Sequence, residues 1–203
     1  MQSENHWDEV YRTRDHAKVS WYQPSAEPSL SILRKLGGDA RTFIDVGGGA
    51  SSLVDALLES DCLEVTVVDI AASALQAARG RLGERSERAR WEIADITRWA
   101  PSQAYDVWHD RAVFHFLTSP EARAGYKRAL RAVTRPESLV IIATFALAGP
   151  DKCSGIPVQR YNAESLSAEI GSSFRLLESW EEEHITPSGN RQTFTWCAFR
   201  RVE

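Results

Sequence analysis

The chain has 203 residues, 43% of them apolar and 26% charged, with a formal net charge of −4. That balance fits one soluble folded domain. It excludes a disordered chain and a basic protein that binds nucleic acid through bulk charge. The cysteines Cys62, Cys153 and Cys197 are odd in number and widely spaced. They offer neither a disulfide framework nor a C-x-x-C pattern, so no metal site is expected.

The opening MQSENHWDEV is polar and acidic, unlike a signal or transit peptide. The longest apolar run, Leu139 to Leu147, falls short of the about 20 residues a bilayer span needs. The expectation is a cytoplasmic, reduced protein with neither a membrane nor a nucleic-acid partner.

Residues 3 to 14 read as a short helix with Trp7, Val10, Tyr11 and Arg14 on one face. The bridge Ser20-Trp21-Tyr22-Gln23-Pro24 follows. Pro28 then opens a helix that runs to Leu36 and ends at Gly37-Gly38. From Thr42 onward, strands and helices alternate. Thr42 to Val46 is a strand, Ser51 to Ser60 a helix, Glu64 to Asp69 a strand, and Ala71 to Leu82 a helix. Trp91 to Ala94 and Tyr105 to His109 are further strands. Ser119-Pro120 caps a helix to about Thr134, and Ser138 to Phe145 reads as a central parallel strand. Asn162 caps a last helix that stops at Gly171. Strands Phe174 to Glu183 and Arg191 to Arg201 form a closing hairpin around the turn 186–190. This order predicts a doubly wound α/β, mostly parallel sheet with an antiparallel hairpin at its end. Residues 1–38 form a helical extension or lid, and residues 39–203 the main domain.

Ligands in such sheets bind beyond the carboxyl ends of the strands. Asp45-Val46-Gly47-Gly48-Gly49 leaves the first strand, and its glycines permit a tight turn and close ligand approach. Asp69 ends the second strand, twenty residues after Gly49; that spacing suits a carboxylate that accepts from ribose hydroxyls. Asp95 follows the third strand, where an adenine amino group is a suitable donor, and Ile70 and Ile96 supply apolar faces for the ring. The turn lacks the third glycine or alanine of a dinucleotide fingerprint, there is no Tyr-x-x-x-Lys pair, and G-x-x-x-x-G-K-[ST] is absent. A nicotinamide reductase and a P-loop are therefore disfavoured.

These segments together resemble a known family. FIDVGGGAS resembles the glycine motif of class I S-adenosylmethionine-dependent methyltransferases. VTVVDI resembles their ribose motif with Asp69, WEIADI their adenine motif with Asp95, and YDVWHDRAVFHFL their fourth-strand segment. The glycine motif of that family is usually G-x-G, and Gly48 is a mild departure. HWDEVY and VSWYQ look like a bacterial subgroup, with related openings in lysine methyltransferases of translation factors and in some thiol and halide methyltransferases. The resemblance covers about residues 40 to 203. It implies a seven-stranded Rossmann-like sheet with its last strand inserted antiparallel between the fifth and sixth, and S-adenosyl-L-methionine as cofactor. It places Asp45, Gly47, Gly48, Gly49, Asp69, Ile70, Asp95, Ile96, Trp21 and Tyr22 at the cofactor, and His109, Asp110 and Arg111 at the reaction site. Asp45 would reach the amino group of the methionine end.

Trp7 and Tyr11 read as helix-face packing, His115 as a packed residue, Cys62 and Cys197 as apolar fillers, and the arginine-rich stretch 79–90 as a solvated helix end. Cys153 lies in a loop that often shapes the acceptor pocket of the family. The expected activity is methyl transfer to a small-molecule acceptor. A protein lysine, served by an acidic rim of Asp110 and Glu181 to Glu183, is the alternative, and a non-catalytic adenosyl-cofactor-binding module a further one.

Overall fold

A computed structural model describes residues 4–59, 64–101 and 103–203, with Glu4 described by its backbone alone. Ser3 and Ser60, expected at helix ends, and Cys62, expected as a filler, lie outside the described residues. Seven strands form one sheet: β1 (Thr42–Val46), β2 (Glu64–Asp69), β3 (Ala89–Ile93), β4 (Val107–Arg111), β5 (Leu139–Phe145), β6 (Phe174–Ile185) and β7 (Arg191–Arg201). Their spatial order is β3-β2-β1-β4-β5-β7-β6. β1 to β5 are parallel, and β7 runs antiparallel between β5 and β6. This is the insertion that the resemblance implies.

Among the described residues six α-helices flank the sheet: α1 (Glu4–Thr13), α2 (Glu27–Leu36), α3 (Leu53–Leu57), α4 (Ala72–Leu82), α5 (Pro120–Val133) and α6 (Ala163–Ile170). Every residue of β5 is buried, as a β-branched strand covered on both faces requires. One core packs Phe43, Val65, Leu139, Phe145 and Trp196 with Ile32 of α2. A second packs Ile44, Trp108, Tyr126, Val140 and Phe199 on the other face. Asn162 caps α6 reciprocally with Ser165, and the Ser119 hydroxyl accepts from Ala122 N–H at the start of α5.

Several boundaries differ from expectation; β3 begins at Ala89 rather than Trp91 and ends at Ile93 rather than Ala94. α3 is five residues long instead of ten, because its end tightens: Glu59 N–H bonds the Ala56 carbonyl three residues back, at 3.2 Å. β4 begins two residues late. Tyr105 N–H is taken by the Val133 carbonyl at 2.6 Å, and Asp106 accepts from the backbone of Arg41 and Thr42 at 2.8 and 3.1 Å. The ladder therefore starts at Val107 opposite Phe43 and ends at Arg111 opposite Ala143. His109, Asp110 and Arg111 are strand residues on alternating faces. The closing strand β6 runs two residues past Glu183 and carries a bulge between Leu176 and Glu178.

Candidate active site

The cavity lies where the strand order reverses, at the carboxyl ends of β1, β2 and β4. It measures about 270 Å³, and Gly47, Asp69, Ile70, Asp95, Ile96 and Arg111 are among its lining residues. A smaller one of about 60 Å³ adjoins it, lined by Ser29, Asp45, Gly48, His109, Tyr22 and Arg111 among others.

The glycine turn is shaped by contact. Gly47 and Gly49 hold φ of +66° and +46°, which only glycine adopts freely. A Cβ on Gly48 would lie 2.6 Å from both Asp45 Oδ2 and Val67 Cγ1. One on Gly49 would lie 3.0 Å from Asp69 Oδ2 and equally close to the Tyr11 hydroxyl. Arg81 buttresses this turn through N–H bonds to the Ala50 and Ser51 carbonyls at 2.9 and 2.7 Å, and pairs with Asp55 at 2.6 Å. It is an exception within a stretch expected to be merely solvated.

Three carboxylates occupy the strand ends in different states. Asp45 is buried, and its Oδ1 lies 2.7 Å from His109 Nδ1 while Oδ2 has no partner. Asp69 accepts from Ala71 N–H at 2.8 Å. Burial raises its carboxyl to about 7 against the pull of that N–H, and the charge of Asp45 adds to the rise. Asp95 accepts from the Thr97 backbone and hydroxyl at 2.9 and 2.7 Å and pairs with Arg98 at 3.1 Å. Burial pulls its carboxyl upward, but these partners hold it below the ordinary value. The Thr97 loop sits tightly under α5, since a Cβ on Gly125 would meet the Thr97 carbonyl oxygen at 2.2 Å.

The N-terminal segment closes the cavity. Trp7, Tyr11 and Trp21 all line it. Trp7 meets Trp21 and Phe116 edge-on at 5.6 and 5.1 Å, and Trp21 Nε1–H donates to the Tyr11 hydroxyl at 3.0 Å. Trp7 and Tyr11, one helical turn apart on α1, were legible as one face, but not as a wall of the site. Tyr22 lines only the smaller cavity. The strap carrying Trp21 is pinned from below. His184 Nε2–H bonds the Ser20 carbonyl at 2.8 Å, Arg111 Nη1–H the Trp21 carbonyl at 2.9 Å, and Gln23 Nε2–H donates to Glu182 at 3.0 Å.

The β4 trio separates by face. His109 and Arg111 point to the cavities. Asp110 is fully buried on the other face, where it accepts from Val113 N–H, Phe114 N–H and the Tyr126 hydroxyl at 2.8, 3.1 and 2.7 Å. Burial raises its carboxyl to about 7 despite these donors. Asp110 therefore supplies no acidic rim. His109 reaches further than the sequence suggests, since its Nε2 lies 2.8 Å from the hydroxyl of buried Ser29 on α2.

His115 is packed as expected, against Phe116 and Phe145 at 4.5 and 4.7 Å. Its Nδ1 accepts from Phe145 N–H, and burial, with Arg111 nearby, lowers it to about 3. Cys153 lines the cavity from a short hairpin, and burial raises its thiol to about 11. It is a neutral thiol rather than a soft thiolate ligand. Cys197 is a buried filler in the second core. Among the described residues no three His, Cys, Asp or Glu side chains gather to hold a metal ion, and no helix is long and apolar enough to cross a membrane.

Residues 44–139 match the family model described as a methyltransferase domain. No curated protein matches the sequence. Several solved structures share the fold. The N-methyltransferase NodS from Bradyrhizobium japonicum WM9, in complex with S-adenosyl-l-homocysteine, is 14% identical with a TM-score of 0.73, covering 100% of both chains. A protein solved in work on converting a disulfide bond into a thioacetal group during echinomycin biosynthesis is 20% identical at a TM-score of 0.76, covering 98% of this chain and 93% of that one. The 1,6-didemethyltoxoflavin-N1-methyltransferase of Burkholderia thailandensis is 17% identical at 0.68, covering 98% and 84%. The matched methyltransferase domain over residues 44–139, the inserted seventh strand and the glycine turn between acidic strand ends are features this chain shares with the fold of S-adenosylmethionine-dependent methyltransferases.

Proposed function

We propose that this protein transfers a methyl group from S-adenosylmethionine to a small-molecule acceptor. The observation that carries the reading is the unsatisfied acceptor in the glycine turn. Asp45 Oδ2 is buried without a partner beside Gly48, whose own Cβ would fill the space. A buried carboxylate oxygen in that state calls for a donor from a ligand, and the ammonium of an amino-acid group is one. The other residues fit the same ligand. Asp69 would accept from the ribose hydroxyls, Ile70 and Ile96 would pack on the adenine, and Asp95 would border its amino edge while it keeps the Thr97 loop in shape.

When bound, that cofactor supplies an electrophilic methyl on a sulfonium sulfur, passed in line to an acceptor lone pair with a thioether left behind. The protein's contribution is alignment and exclusion of water. Trp7, Tyr11 and Trp21 would act as the lid, with the strap at residues 20–23 holding it down. Among the described residues His115 is held neutral and Cys153 protonated, so neither stands ready as a base at the acceptor end. That favours an acceptor atom that is already nucleophilic at neutral pH. The small-molecule reading draws support from the aromatic-walled cavity, and the 1,6-didemethyltoxoflavin-N1-methyltransferase of the same fold, solved with 1,6-didemethyltoxoflavin bound, agrees with it.

Thermal unfolding with S-adenosylhomocysteine and NADH in parallel tests the proposal. Ligand at a hundred times Kd adds about 2.7 kcal/mol, a melting shift of roughly 5–10 °C for a domain of this size. A shift with S-adenosylhomocysteine alone is expected. A shift with NADH alone would overturn the reading. Tritiated methyl transfer into extract, split by size, then separates a metabolite from a protein acceptor.

A further inference from the structure

Arg111 carries a cation whose hydrogen bonding is incomplete in a patterned way. Its Nη1–H is spent on the Trp21 carbonyl, and the guanidinium lies over the Phe194 ring at 4.6 Å to the centroid. Nε and Nη2 are closed off from solvent and have no acceptor. These two nitrogens form one edge of the planar group, the side-on fork that matches both oxygens of a carboxylate. The carboxylate whose charge acts on Arg111 is Glu182, yet both its oxygens are committed, one to Gln23 Nε2–H at 3.0 Å and the other to Trp196 Nε1–H at 2.6 Å. Glu182 therefore offsets charge without filling the fork. Burial lowers Arg111 only to about 10, so it remains a cation at neutral pH.

The position of the fork decides what it meets. Asp45, Asp69 and Asp95 stand on the β1–β3 half of the sheet. Arg111 reaches the other way, toward Phe194 on β7 and Cys153 in the hairpin after β5. The cavity on that side is walled by Trp7, Trp21, Phe116 and Pro157, a surface suited to a flat, unsaturated body.

We propose that the Nε–Nη2 edge of Arg111 is the anion-recognising element of the acceptor site, and that the methyl acceptor is a planar, unsaturated small molecule bearing a carboxylate. This rests on the methyl-transfer reading and specifies its substrate class. One other carboxylate is available to the same edge, that of the cofactor's amino-acid end, because Arg111 also borders the smaller cavity with Asp45.

The test uses the full chain saturated with S-adenosylhomocysteine, titrated calorimetrically with a panel of aromatic and unsaturated carboxylates, each beside its amide: benzoate with benzamide, salicylate with salicylamide, anthranilate with anthranilamide, cinnamate with cinnamamide. At least one carboxylate is expected to bind tenfold or more tightly than its amide, and Arg111→Met to reduce that preference below twofold. Arg111→Lys, which keeps the charge but loses the fork, should fall between. Apo melting temperatures of both variants show whether they fold. No preference anywhere in the panel, or one that survives in Arg111→Met, overturns the proposal. S-adenosylhomocysteine and 5′-methylthioadenosine, which lacks the amino-acid end, separate the two carboxylate sources. Unchanged binding of both in Arg111→Met supports the acceptor. A tenfold loss for the first alone assigns the fork to the cofactor and overturns the acceptor role. Failure of the unmodified protein to bind S-adenosylhomocysteine at all would instead bring down the methyl-transfer reading.

Discussion

His109 holds Asp45 from below, with Nδ1 2.7 Å from Asp45 Oδ1 inside the core. The nitrogen facing a carboxylate carries a proton, and the Ser29 hydroxyl, which can donate or accept, lies 2.8 Å from Nε2. The chain Ser29–His109–Asp45 thus presents Oδ2 alone to the site. His109→Gln is expected to weaken S-adenosylhomocysteine at least tenfold and to leave 5′-methylthioadenosine within twofold, since only the former carries an ammonium for Asp45. Ser29→Ala should cost about 0.5–1.5 kcal/mol of stability. Equal weakening of both ligands by His109→Gln would show a general collapse of the pocket instead.

Asp69 links binding to pH. Its carboxyl is raised to about 7, and only the ionised form offers every lone pair to two ribose hydroxyls. Affinity for S-adenosylhomocysteine should therefore rise from pH 6 to pH 8, approaching about tenfold per unit below 7. Asp69→Asn should flatten that profile. The stability of the free protein should move the opposite way. Asp69 and Asp110 both bind protons more tightly folded than unfolded, so the stability they contribute is complete below the unfolded carboxylate value and is lost as pH rises through about 7. Melting temperatures of the ligand-free chain across pH 5 to 8 check the sign.

Tyr126 is placed to stabilise rather than to react. Its hydroxyl donates to Asp110 at 2.7 Å and accepts from Trp108 Nε1–H at 2.8 Å, all three residues being buried. Tyr126→Phe leaves an indole N–H and a carboxylate oxygen short of partners, at a cost of about 1–3 kcal/mol. Urea denaturation should show that loss, while cofactor affinity changes less than twofold.

Two glycines give a matched pair of substitutions. Gly48→Ala forces a methyl against Asp45 Oδ2 and Val67 Cγ1, both 2.6 Å away. We expect at least a hundredfold loss of cofactor affinity, with about 1–3 kcal/mol of overpacking. Gly80 lies within α4, and a Cβ there meets nothing within 4 Å. Gly80→Ala should add about 0.5–1 kcal/mol and leave binding untouched.

The sequence marks the acidic side of the cavity, because each acidic residue there lies at or just beyond the carboxyl end of a strand, and strand-then-turn is a local pattern. Asp45, Asp69 and Asp95 are legible for that reason. The other half depends on packing between distant segments. Ser29 meets His109 across eighty residues, and nothing near either residue encodes it. Ala112 turns the chain after β4 with φ of +74°, a conformation for which sequence reading would seek a glycine. β4 starts two residues later than its sequence pattern suggests, because Tyr105 and Asp106 look like strand but serve as its anchor. Because strand residues alternate faces, the fate of Asp110 turned on recognising β4 through to Arg111, which moved it from the reaction site to the core.

The slot that β7 fills bears on how the chain folds. β5 pairs with β4 on one edge, and on the other with Phe194 to Arg200, which follow residues 146–190 in the chain. Until that second edge is paired, an apolar, β-branched edge lies open, the kind of edge that pairs with other chains. Such late, distant pairing slows folding. The β6–β7 hairpin, joined by the five-residue turn at 186–190, is the element whose closure covers that edge.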